Sequence, residues 1–266
     1  MARNLSDVLH YFDPELAEKT PDAIPVDDPD SGPSPRPRAL RLVGVPIGGR
    51  DVVRAAFAWN VAVEIVRLGG RAVILSPDDA SPSPLWPQAG TGPLDAELRP
   101  TLAKDLESLH RAARDTLATR DQTRDEEGVV FVRIPPAWLS AERTPSALLN
   151  WTLLFTSSEP VKLQETLELA RTIGERQPEA RVGVTIHGAQ SRGEAETAFD
   201  HLARASRRNT GRDLRSYGLL VDDLEVYRAI VAQRPIGLAH PQSPAARALR
   251  DVAELLISDM REDVRD

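Results

Sequence analysis

One stretch limits the fold more than any other. Residues 40–79 read LRLVGVPIGGRDVVRAAFAWNVAVEIVRLGGRAVILSPDD. Leu40, Leu42, Val43 and Val45 form an apolar run, which Gly48-Gly49 breaks. Residues 51–68 then carry apolar groups at helical spacing, with Asp51 at the N-cap position. Gly69-Gly70 end that helix, and residues 71–75, RAVIL, form a second short apolar run. Two buried-type strands joined by a helix must lie parallel in one sheet, because a hairpin cannot connect them. A chain that opens this way builds a layered α/β domain.

The rhythm continues. Residues 129–134 and 151–156 read as strands, 160–176 as a helix, 181–187 as a strand and 191–209 as a helix. Tyr217–Val221 reads as a last short strand, and 222–232 and 243–259 as closing helices. The proline-rich stretch 76–100 reads as a long loop. Residues 101–119 read as a helix with Leu102, Leu106, Leu109, Ala113 and Leu117 on one face. The expected fold is a doubly wound, mainly parallel α/β sheet with helices on both faces. Ligands of such sheets sit at the carboxyl ends of the strands, where a glycine-rich turn opens a helix.

The ends differ from this body. In residues 1–20, Leu5, Val8, Leu9 and Phe12 fall at i, i+3, i+4 and i+7, an amphipathic helix suited to partner binding. Residues 21–38 hold six prolines and few large apolar groups, and read as a linker. The body spans 39–260 and a tail 261–266. The N-terminus lacks the pattern of a secretory signal, no run is long and apolar enough to span a membrane, and the acidic tail lacks an apolar face. The chain is therefore expected to be cytoplasmic and not membrane-bound. The absence of cysteine removes disulfides, thiolate metal sites and thiol nucleophiles, and the five histidines show no metal spacing. A net charge of −7 speaks against a general nucleic-acid binder. Arg204, Arg207, Arg208, Arg212 and Arg215 form a basic cluster, read first as a solvated helix face.

Residues 40–79 resemble the opening of the MinD/ParA-type P-loop ATPases (the SIMIBI class of P-loop NTPase), with Asn60, Gly69, the strand Ala72–Leu75 and Asp78 in matching positions. GVVFVRIPPAW resembles that family's switch strand, and Ser158-Glu159-Pro160 its Thr-x-Pro-Glu-Pro turn. Gly218, Asp222, Gln233, Pro235, Pro241, Ser243, Ala246 and Ala248 fit its C-terminal pattern, which is most similar to the FlhG-like regulators of flagellar number.

The family's chemistry is largely missing. In one frame Gly44, Gly48 and Gly49 lead to Arg50 and Asp51, where a P-loop has Lys and a hydroxyl. Counting back from Asn60 instead puts Arg54-Ala55 at that pair and Gly49 at the signature Lys. Asp51, as an N-cap, would fill the place of a phosphate. Asp-x-Asp becomes Ser76-Pro77-Asp78, the switch Asp falls on Arg133, and the base-reading Asn falls near His187. These losses predict a pseudo-ATPase with no required cofactor, although ATP stays possible. The expected role is a regulatory or spatial-organising subunit. It would bind a protein partner through Leu5, Val8, Leu9 and Phe12, and any homodimer would form without nucleotide. An active ATPase with an unusual loop and a DNA-associated partition factor remain as alternatives, although DNA is not the expected partner.

Overall fold

The computed structural model describes residues 40–78, 87–121, 128–141 and 146–262. Leu5, Val8, Leu9, Phe12 and the 21–38 linker lie outside the described residues.

The chain opens with β1 (Leu40–Pro46), α1 (Val52–Arg67) and β2 (Arg71–Pro77). Then come β3 (Gly90–Thr91), β4 (Glu97–Thr101), α2 (Leu106–Asp121), β5 (Gly128–Ile134) and α3 (Pro136–Ala141). The second half runs β6 (Trp151–Ser157), α4 (Pro160–Arg176), β7 (Arg181–Ala189), α5 (Arg192–Thr210) and β8 (Arg215–Val221). Helices α6 (Leu224–Val231), α7 (Ile236–Ala239) and α8 (Pro244–Glu262) close it. The strands form one eight-stranded sheet in the order β3-β4-β2-β5-β1-β6-β7-β8, parallel except for β3 against β4.

The expected doubly wound sheet is therefore present. Chain order steps leftward from β1 to β2 and rightward from β6 through β8. Right-handed crossovers then put α1 and α4–α5 on opposite faces. α1 packs against β2 and α8, while α4 packs against α5 and β6. This explains why α1 is buried nearly all round, from Ala55 to Ile65: the sheet lies under it, and α6, α7 and α8 pack against it.

Two expectations fail. Part of the 76–100 loop is strand, because β4 (ELRPT) pairs with β2 and carries Pro100 at the sheet margin. The helix expected over 101–119 starts five residues later, at Leu106. The Asp105 carboxylate accepts the Ser108 N–H at 2.7 Å and fixes that start. Leu102 consequently leaves the apolar face and is 86% exposed.

Candidate functional site

β5 and β1 lie side by side, with Val45 opposite Arg133 and Pro46 opposite Ile134. Their carboxyl ends meet the β1–α1 turn, where the fold places a ligand. In that turn Ile47 N–H donates to Ile134 O at 3.1 Å, Asp51 N–H to Gly48 O at 3.0 Å and Val52 N–H to Arg50 O at 3.1 Å. Arg54 N–H donates to Asp51 Oδ1 at 3.1 Å, and Ala55 N–H to Asp51 O at 3.1 Å. The N–H groups of Ile47, Asp51, Val52 and Arg54, some of those a phosphate cradle would turn outward, are thus engaged inside the turn. Asp51 caps α1 and pairs with Arg54 Nε at 3.3 Å. Its carboxylate stands where a helix N-terminus favours an anion.

The element boundaries bear on the two frames. Gly44 lies buried inside β1, and a Cβ there would sit 2.5 Å from the Leu148 carbonyl oxygen. Its lack of a side chain therefore serves packing. Gly48 and Gly49 follow the strand directly, and Arg54-Ala55 fall in the first turn of α1. A P-loop has its first glycine after the strand and its Lys at the helix start, so the boundaries match the frame that begins at Gly48. Arg50 is exposed, and the Arg54 side chain is only 13% exposed.

The decisive side chain is Arg133, 3% exposed at the end of β5. Its Nε donates to Ser76 Oγ at 2.9 Å, one terminal nitrogen to Pro77 O at 2.8 Å, and the other to Ile47 O at 3.3 Å. The guanidinium ties the ends of β5, β2 and β1 together beneath the turn. The two positions where the resemblance implies carboxylates, Ser76 and Arg133, here bond to each other. A fixed cation in this space opposes a second cation: unlike ions attract and like ions repel by about 4 kcal/mol at 4 Å near a protein surface. Residues 76 and 133 also supply no carboxylate to hold Mg²⁺.

His187 and Ser157 stand opposite each other at the ends of β7 and β6. The His187 ring packs 5.2 Å from Phe57 of α1. Its Nε2 and Ser157 Oγ are buried without a partner in the described structure. Burial, and secondarily the Arg54 cation, press the imidazole down to about 4, against a smaller opposing pull from Asp51. At neutral pH the ring is therefore uncharged.

Asn60 has a structural part that the sequence did not reveal. Its amide donates to Ala56 O at 2.7 Å and accepts the Ile236 N–H at 2.7 Å. It thus ties the middle of α1 to the Gln-x-Pro segment that opens α7. The basic cluster is dispersed by folding. Arg207 pairs with Asp213, Arg212 donates to the carbonyls of Gly174 and Pro178, and Arg215 reaches Asp259. Arg204 and Arg208 are exposed and in no ion pair among the described residues. The described residues hold no cluster of His, Asp and Glu fit for a metal ion, and no helix long and apolar enough to cross a membrane.

Solved structures with the same architecture identify the fold. MinD of Aquifex aeolicus superposes with a TM-score of 0.56 at 12% identity, over 82% of this chain and 97% of that one. The chain has the MinD/ParA fold. A ParA family ATPase from Chlorobium tepidum gives 0.55 at 10% identity, over 81% and 98%. MinD of Pyrococcus horikoshii, solved with Mg-ADP, gives 0.56 at 12%, over 82% and 96%. No protein-family model and no curated protein matches the chain. At such identities the MinD/ParA fold is what is shared.

Proposed function

We propose that this chain is a nucleotide-independent pseudo-ATPase that uses the MinD/ParA fold as a regulatory or spatial-organising protein-interaction subunit, in the manner of the FlhG-like branch. One observation carries the reading: buried Arg133 and its bonds to Ser76, Pro77 and Ile47 fill the corner where a bound nucleotide's metal would be held. The MinD structure with Mg-ADP belongs to a protein of the same fold. In this chain Asp51 and Arg133 put an anion at the phosphate end and a cation at the metal end. The charges are inverted at both ends. Neither Arg50, which is exposed, nor Arg54, which pairs with Asp51, replaces a P-loop Lys. With the chemistry gone, surface recognition is what the scaffold retains. Residues 5, 8, 9 and 12 are the segment read to bind a protein partner. Any homodimer forms without nucleotide.

The test is isothermal titration of the full chain with ATP and ADP, with and without Mg²⁺. The expected result is no binding heat at high micromolar protein. Mg²⁺-dependent binding that is lost in Arg54→Ala would overturn the reading and restore an active P-loop in the Gly48 frame. Sedimentation with and without ATP should give the same mass.

A further inference from the structure

The outer side of the α4–α5 layer carries a groove of about 610 Å³. Its apolar lining comes from Leu163 and Leu167 of α4 and from Ala198, Leu202 and Ala205 of α5. Leu163 and Leu167 pack on the core from one side and stay partly open on the other. Along α4 the groove runs from Pro160 to Leu167, two helical turns or about 10 Å.

Residues 5–12 match this groove in length and pattern. Leu5, Val8, Leu9 and Phe12 make one apolar stripe over the same seven-residue step, again about 10 Å if helical. A stripe this short is not a stable helix alone in water and gains its order by docking.

The chain's route suits one direction. α4 and α5 each leave the carboxyl end of one parallel strand and return to the amino end of the next. Their C-terminal ends therefore lie at the sheet edge where Leu40 opens β1. A segment running parallel to α4 and α5 delivers the chain to that same edge. The linker 21–38 reaches up to about 56 Å when extended, while β1 and β7 are only two strand spacings apart, about 10 Å.

The charges of α5 favour that direction. Asp13, Glu15 and Glu18 follow the stripe. Parallel docking brings them toward Arg204 and Arg208, exposed on the second half of α5 and in no ion pair among the described residues. The reverse direction would bring them to Glu159 and Glu194. We infer that residues 5–12 dock in the α4–α5 groove of their own chain, parallel to both helices, so that a partner must draw them out. This rests on the reading of residues 5–12 as an interaction segment and not on the loss of nucleotide binding.

The chain's lack of cysteine makes the test clean. In the full chain, Val8→Cys is combined with His201→Cys at the groove, or with Arg247→Cys on α8 across the sheet. A disulfide needs the two Cα atoms within about 7 Å. The groove pair should close within one chain, at a rate independent of protein concentration and about tenfold faster than the α8 pair. Adding Leu5→Asp and Phe12→Asp should erase that advantage. Equal rates for the two pairs, or links only between chains, would overturn the proposal. Titration with ATP reads the nucleotide question separately, so a failure of either idea is recognisable alone.

Discussion

Arg133 serves three acceptors from a buried position, and its removal leaves all three without that donor. Arg133→Met keeps much of the volume but strands Ser76 Oγ and the carbonyls of Ile47 and Pro77. The expected loss is about 2–4 kcal/mol, measured as a lower urea midpoint with unchanged slope. Arg133→Lys should recover only part of it, because an ammonium lacks the planar fork that reaches three strand ends. The sequence placed Arg133 at the switch position, but its partners were not legible there. They come from β2 and from the β1–α1 turn, 56, 57 and 86 residues away, and only the strand order brings them together. The same limit applies to the P-loop frame. Two glycine registers four residues apart fit the letters equally, and the end of β1 separates them.

Elements were legible where an apolar run or a helical stripe exceeded about two turns. α1, α4 and α5 fall within a residue of expectation because Asp51, Pro160 and Ser191 mark their starts. β4 was missed because a short strand reading ELRPT has no apolar run, and α7 because it is a single turn. How α7 is held shows what such a short element depends on. Its first N–H goes to Asn60, and Gly237 lies against the half-buried Glu64–Arg67 pair, where a Cβ would collide with the Glu64 carboxylate. Asn60→Leu should cost about 1–2 kcal/mol by orphaning the Ile236 N–H and losing the tie to α1. Gly237→Ala should cost about 1–3 kcal/mol through overpacking against the buried Glu64 carboxylate. Thermal melts of both variants check this. If either melts like the parent, α7 is not anchored through these contacts.

At the scale of the whole molecule, two displaced titrations act on stability in opposite senses. His187 titrates near 4 when folded against a reference of 6.5. Between those values the unfolded chain binds its proton and the folded chain does not, so this group makes stability rise with pH and is lost as pH falls through the window. Asp251, on α8, is pushed up to about 7 from 3.8, first by burial and then by Glu254, against the pull of Arg250 and Arg247. Between those values the folded chain holds the proton, so this group makes stability fall as pH rises. From about pH 4 to 6.5 the two slopes oppose and offset each other in the parent. Single variants uncover each slope. His187→Gln should leave a midpoint that falls as pH rises from 4 to 7. Asp251→Asn should leave one that rises from 4 to 6.5 and then levels. At pH 8 Asp251→Asn should exceed the parent by on the order of 1–2 kcal/mol, below the full linkage value because solvent screens a half-buried carboxylate. A midpoint profile that each substitution leaves like the parent's would mean that neither group carries its displaced titration in solution, whereas opposite changes of slope would trace the two contributions to the corner beside Arg54 and the middle of α8.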